Sequence, residues 1–175
     1  NDYRYAYSML EKAYREGKVR AIGLSNFPVE KIREILDQCE IPPALMQTEG
    51  HPYFPAETVR AYCREKGIAL QTWFPLGHGS RELIEEPLFT SLAGKYHKTP
   101  AQVILRWHVQ MGFCPVPGSA SPAHIRENAD ICDFMLTDEE MEEIAGLNRH
   151  VPIYQVTPES LRKLAVTKCN FETGE

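Results

Sequence analysis

Cysteine is sparse and badly spaced for cross-linking: Cys39, Cys63, Cys114, Cys132 and Cys169 are an odd number with no C-x-x-C pair. That pattern excludes a disulfide framework and a zinc knuckle, and a reducing, cytoplasmic setting is expected. Basic runs never exceed a pair, and 19 Lys and Arg against 24 Asp and Glu leave a formal charge of −5. Without a cationic stripe to meet phosphates, nucleic acid is not expected as a partner. No apolar run approaches the roughly 20 residues of a membrane span, so no membrane partner is expected either. The opening NDYRYAYSML lacks the basic-then-apolar order of a signal peptide. Because the first residue is Asn1 and helix-like sequence begins at once, a longer native chain is expected. Asn-Gly hairpin signals and a G-x-G-x-x-G fingerprint are both missing, which argues against paired antiparallel strands and against a Rossmann-type nucleotide site.

What is present is an ordinary globular composition, 43% hydrophobic and 25% charged over 175 residues, enough for one sizeable core. Tyr3, Ala6, Tyr7, Leu10, Ala13 and Tyr14 recur at helical spacing and stop at Gly17, which predicts a helix over 3–16 with a left-handed cap. Residues 19–24 read as a strand. Pro28 opens a helix with Val29, Ile32, Ile35, Leu36 and Cys39 on one face, ended by Pro42 and Pro43. The alternation continues with a strand at 44–49, a helix at 55–66 closed by Gly67, and a strand at 68–73. A glycine-bearing loop at 77–85 follows, then helices at 87–96 and from Thr99-Pro100 to Met111, and a short strand at 114–117. Ser121-Pro122 starts another helix, Thr137 with Glu140 forms a capping box for the next, and Thr157-Pro158 starts a last one.

Four strands alternating with helices and no hairpins between them predict an α/β protein with a parallel sheet. A closed eight-stranded (β/α) barrel takes about 250 residues and rarely fewer than about 200. Units of that type could not close within this chain alone.

In parallel α/β folds ligands gather beyond the carboxyl ends of the strands. Those positions carry Ser25-Asn26-Phe27, then Gln47, Glu49 and His51 in alternation, then Trp73-Phe74-Pro75-Leu76-Gly77, then Gly118-Ser119. Ser, Asn and Gln supply neutral donors and acceptors suited to a carboxamide, and an indole supplies a flat stacking surface. The run 117–122, PGSASP, sets a Gly and two hydroxyls before a helix N-terminus, where free N–H groups and the macrodipole favour an anion. Together these residues suit a dinucleotide stretched across the strand ends.

The same stretches identify a family. GKVRAIGLSNF (17–27), MQTEGHPY (46–53), GIALQTWFPLG (67–77), KTPAQVILRW (98–107) and VPGSASPAHIRENADICDF (116–134) resemble, in order, the C-terminal half of the aldo-keto reductases. The resemblance runs to about Asn148. It implies that residues 1–148 are the C-terminal half of a (β/α)8 TIM barrel, with 149–175 an appended arm carrying a substrate loop and helix. It implies an NAD(P)H-dependent oxidoreductase that reduces aldehydes or ketones to alcohols, with NADP(H), and secondarily NAD(H), as cofactor and a small carbonyl compound as substrate. By resemblance, Ser25, Asn26 and Gln47 would hold the nicotinamide carboxamide, and Trp73 would stack on its ring. Phe74, Leu76 and Gly77 would line the pyrophosphate path, and Gly118, Ser119, Ala120, His124, Glu127 and Asn128 would surround the adenosine end.

Departures from the family pattern carry their own expectations. The stacking residue is usually Tyr, and here it is Trp73. Gly118 and His124 stand where a Lys and an Arg often meet the 2′-phosphate, which weakens discrimination for NADPH. The family's catalytic Tyr, Lys, Asp and His lie on the first half of the barrel, so no catalytic residue is assigned here. The chain alone is expected to be inactive and, with two free sheet edges, to self-associate, while the intact protein is expected to be a monomer or weak dimer. The competing function is a barrel protein that binds the nicotinamide cofactor without turnover, as a sensor or accessory subunit.

Simpler roles stand beside these. Glu49 and His51 are expected to be a buried, mutually satisfied pair in preference to an acid/base couple. Ser25 and Asn26 could cap the helix at Pro28, but capping leaves Gln47 and Trp73 unexplained, so the ligand role is favoured. Ser121-Pro122 is read equally as a cap or as an anion site. Val103 and Trp107 are expected in the core, and the acidic run 138–143 is expected to be a solvated face.

Overall fold

The computed structural model describes residues 3–155, 157–159 and 162. Helix α1 (Tyr3–Arg15) ends where expected: Gly17 takes φ 71° and Lys18 N–H returns to the Ala13 carbonyl at 3.0 Å. The same device closes α3 (Glu57–Lys66), with Gly67 at φ 68° and Ile68 N–H bonded to the Cys63 carbonyl at 2.9 Å. A positive φ at these turns is what makes Gly the residue that ends both helices.

Strands β1 (Gly23–Ser25), β2 (Leu45–Glu49), β3 (Ala69–Trp73) and β4 (Phe113–Pro115) form one parallel sheet in sequential order, as the alternation predicted. Helix α2 (Val29–Leu36) crosses from β1 to β2, and α3 crosses from β2 to β3. The longer β3–β4 connection holds α4 (Arg81–Ile84), α5 (Pro87–Tyr96) and α6 (Pro100–Gln110), and β4 is followed by α7 (Pro122–Ala129) and α8 (Asp138–Ala145). The outer strands are shorter and shifted relative to expectation. β1 starts only at Gly23, where pairing with Leu45 begins, and β4 starts one residue early at Phe113, opposite Leu70. The stretch read as a loop at 77–85 contains a 3-10 turn (Gly77–Gly79) and α4, whose Leu83 is fully buried. Most of the segment expected to form a helix after Thr157-Pro158 lies outside the described residues.

The two faces of the sheet differ. In register, Leu24, Met46, Leu70 and Phe113 share one face and are all buried, with Met46 completely so. These side chains join Ile32, Ile35, Cys63, Phe89, Val103, Ile104 and Trp107 from the helices in a single core. On the other face, Ala69 and Cys114 are exposed and Leu45, Gln47 and Gln71 only half-buried. Parallel sheets are ordinarily covered on both sides. Here, among the described residues, the helices cover one side only.

Two local expectations resolve clearly. Val103 and Trp107 are core residues, at 0% and 1% exposure. The acidic run on α8 is not uniformly solvated. Glu140 closes the capping box with Thr137 and turns inward, accepting from Lys95 Nζ and from Tyr96 Oη, each at 2.6 Å. Burial pushes its carboxyl up, but those donors and the Thr137 N–H outweigh it and hold the carboxyl below its usual range.

Candidate functional site

The exposed face of the sheet ends, at its carboxyl edge, in a polar row. Ser25, Gln47 and Gln71 lie side by side across β1, β2 and β3, and Glu49 pairs in register with Trp73 one step further along. The Gln47 side-chain amide donates to Gln71 Oε1. Asn26 leaves β1 in the left-handed region, φ 58°, a conformation Asn tolerates better than most residues. Its N–H donates to the Gln47 carbonyl at 2.8 Å and its Nδ2 to Ser25 Oγ at 3.0 Å, while its Oδ1 accepts from Trp73 Nε1 at 2.8 Å. Ser25, Asn26, Gln47 and Trp73 are thus one connected cluster. Helix α2 is capped by Pro28 with no side-chain bond, so neither Ser25 nor Asn26 serves as its cap.

From Trp73 a groove runs away from the cluster. Phe74, also left-handed at φ 55°, packs against Trp73 with ring centroids 4.4 Å apart and against His78 at 3.9 Å. With Leu76, Pro117 and Gly118 these rings line a cavity of about 430 Å³. A second cavity of about 370 Å³ continues past Leu76 and Gly118 to Ser119, His124, Glu127 and Asn128. Gly77 is buried beneath the groove, and Ala120 lies in the same loop but lines neither cavity. At the far end Ser121 caps α7 by accepting from His124 N–H at 3.5 Å, and Ser119 Oγ accepts from Ser121 N–H at 3.1 Å. Glu127 is engaged by the Thr99 hydroxyl. Among the described residues no group of His, Cys, Asp and Glu could hold a metal ion, and no helix is long and apolar enough to cross a membrane.

Beneath the cluster lie two buried histidines. His51 Nε2 donates to Glu49 Oε1 at 3.0 Å, both residues being almost inaccessible, so the buried pair expected from their spacing forms, but it is not fully satisfied, because the buried His51 Nδ1 has no hydrogen-bond partner. Glu49 does more than that spacing indicated, because its carboxylate also accepts from the Ile153 and Tyr154 N–H groups, at 2.5 and 3.0 Å. Burial pushes the Glu49 carboxyl up, yet the bonds from His51, Tyr154 and Ile153 together leave it below the usual carboxylate range. His108, fully buried on α6, places Nε2 3.0 Å from the Gly50 carbonyl and Nδ1 2.9 Å from that of Ile104. Burial lowers its pKa to about 4, so the ring is neutral and donates to one carbonyl at a time.

Sequence reasoning did not assign Gln71, His78, Thr99 or Tyr154 to this site. Gln71 was legible, since it precedes Trp73 by two and so shares its face, as Gln47 does with Glu49. Tyr154 was not. Its ring reaches Trp73 from 81 positions away, at a centroid distance of 5.9 Å, through an arm with no periodicity to read.

The model of the Aldo/keto reductase family matches residues 1–149. A glyoxal reductase of Bacillus subtilis is 44% identical over 147 residues, which are 84% of this chain and 52% of that protein. A 2,5-diketo-D-gluconic acid reductase B of a Corynebacterium is 46% identical over 137 residues, 78% of this chain and 49% of that protein. The crystal structure of a Bombyx mori aldo-keto reductase in complex with NADP superposes with a TM-score of 0.84 at 30% identity, covering 89% of this chain and 53% of that one. The chain therefore spans about half the length of the relatives it matches. From its fold, its ordered motifs and these relatives alike, the chain belongs to the aldo-keto reductase family.

Proposed function

We propose that the chain is the cofactor-binding half of an NAD(P)H-dependent carbonyl reductase. The observation that carries this is the Ser25–Asn26–Gln47–Trp73 cluster opening directly onto a groove that continues to Gly118, Ser119 and His124. Neutral amides and a hydroxyl beside a partly open indole suit a carboxamide-bearing ring, and two cavities in line suit an extended dinucleotide. Ser25, Asn26 and Gln47 would orient the nicotinamide, Trp73 would bear its flat face, and Phe74, Leu76 and Gly77 would flank the pyrophosphate. Gly118, Ser119, Ala120, His124, Glu127 and Asn128 would surround the adenosine. When bound, reduced nicotinamide supplies a hydride for the carbonyl carbon of an aldehyde or ketone.

The chain's own contribution is binding and orientation. The hydrogen bond that the indole donates to Asn26 Oδ1 fixes the indole plane, and Phe74, itself stacked on His78, packs against the indole. No residue described here is assigned as the proton donor. The bare sheet face carrying Ala69 and Cys114 supports reading these four strands as one half of a barrel whose other half completes the interior. The donor would belong to that other half, and residues 149–155 to an arm that crosses the strand ends.

Incubation of the purified chain with NADPH and a reactive aldehyde tests this division of labour. No turnover above background is expected, because a missing general acid removes a factor of about 10² to 10⁴. Turnover at the rate of an ordinary reductase would show that the donor lies within these residues.

A further inference from the structure

Glu49 is 4% exposed and its two oxygens take three donors: His51 Nε2, which belongs to the strand end, and the N–H groups of Ile153 and Tyr154, which belong to the arm. A buried carboxylate accepting consecutive backbone N–H groups is a directional anchor, since charge-assisted bonds of this kind are among the strongest a loop can make. Just upstream, Arg149 is held separately: its N–H donates to the Tyr53 carbonyl at 2.9 Å, its guanidinium lies 3.6 Å over the Tyr53 ring, and it pairs with Glu82 at 2.7 Å. The arm is thus pinned at two points. At the Glu49 anchor, Tyr154 meets Trp73 in an edge contact, and the indole N–H is held by Asn26.

We propose that Glu49 is a positioning residue that latches the arm so that Tyr154 stands against Trp73, coupling the arm's attachment to the exposure and orientation of the stacking surface. Any ring that stacks on the indole then shares it with Tyr154, so the latch governs how much room a carbonyl substrate finds beside the nicotinamide. The use of the indole rests on the proposed function above, whereas the latch and the Tyr154–Trp73 coupling stand without it.

The test is made on the chain without cofactor, so that failure to bind NADPH would count against the proposed function and leave this result standing. Amide hydrogen exchange at residues 153 and 154 reports the latch, and acrylamide quenching of Trp73 fluorescence, measured with Trp107 replaced by Phe throughout, reports the coupling. Glu49→Gln is expected to speed exchange at both amides by about tenfold or more and to raise quenching. Tyr154→Ala is expected to raise quenching with both amides still protected, and Tyr154→Phe, which keeps the ring, to change neither. Should Glu49→Gln lose protection in β2 and β3, Ile153→Pro is used in its place, since it deletes one arm donor and leaves the Glu49–His51 pair intact. Unchanged exchange in Glu49→Gln, or in Ile153→Pro at residue 154, overturns the latch. Faster exchange with unchanged quenching overturns the coupling.

Discussion

The indole N–H of Trp73 donates to Asn26 Oδ1 across 2.8 Å, so the aromatic that ends β3 is aimed by the residue that follows β1, over the intervening β2. The bond converts two loosely placed strand ends into one surface. Asn26→Ala is expected to weaken NADPH binding about tenfold by freeing the indole, with Asn26→Asp retaining the acceptor and losing less. Titration followed by the fluorescence of the reduced nicotinamide measures both, and an unchanged dissociation constant in Asn26→Ala would separate the bond from binding.

Stability should depend on pH through His108. Its folded pKa is lowered from 6.5 to about 4 by burial, so between those values the unfolded chain binds a proton that the folded chain refuses. The contribution is therefore whole above pH 6.5 and is lost as pH falls toward 4, amounting to about 3 kcal/mol over the full window. Glu49, held below its usual range, adds a loss of the same sign at lower pH. Urea unfolding at pH 7, 5.5 and 4 reads this slope, and His108→Gln should flatten it between 6.5 and 4. A slope in that window that survives His108→Gln would assign it to another group.

Cofactor preference should be adjustable at the far end of the groove. Gly118 and His124 line the same cavity, and a Cβ built on Gly118 meets nothing within 4 Å. Gly118→Lys with His124→Arg places cations there and should favour NADPH over NADH by about 1 to 3 kcal/mol relative to the parent protein. Paired titrations with the two cofactors check it. A parent protein already binding NADPH a thousandfold tighter than NADH would assign the 2′-phosphate to another basic group.

The order of elements was legible because each boundary carries its own chemistry. Gly17 and Gly67 end helices by adopting positive φ, and Thr137 with Glu140 closes its box. Strand ends were less legible, since the start of β1 is set by pairing with Leu45, a partner that local sequence does not specify. The clustering of Ser25, Asn26, Gln47 and Trp73 was legible because strand alternation and position after a strand suffice to gather them. Glu140 was misread for the opposite reason: its turn inward toward Lys95 and Tyr96 is a tertiary choice made against its acidic neighbours on α8. The Glu49 bonds to Ile153 and Tyr154 span more than a hundred residues, and no periodicity encodes them.

Binding of a nicotinamide cofactor against Trp73 is tested most directly by one titration. The chain is titrated with NADPH, following the cofactor's own fluorescence, in parallel with Trp73→Leu, and far-ultraviolet circular dichroism confirms that both are folded. Saturable binding is predicted for the parent chain, weakened about tenfold in Trp73→Leu by loss of the stacking surface. Superimposable isotherms, or a folded parent chain with no saturable binding, would contradict it.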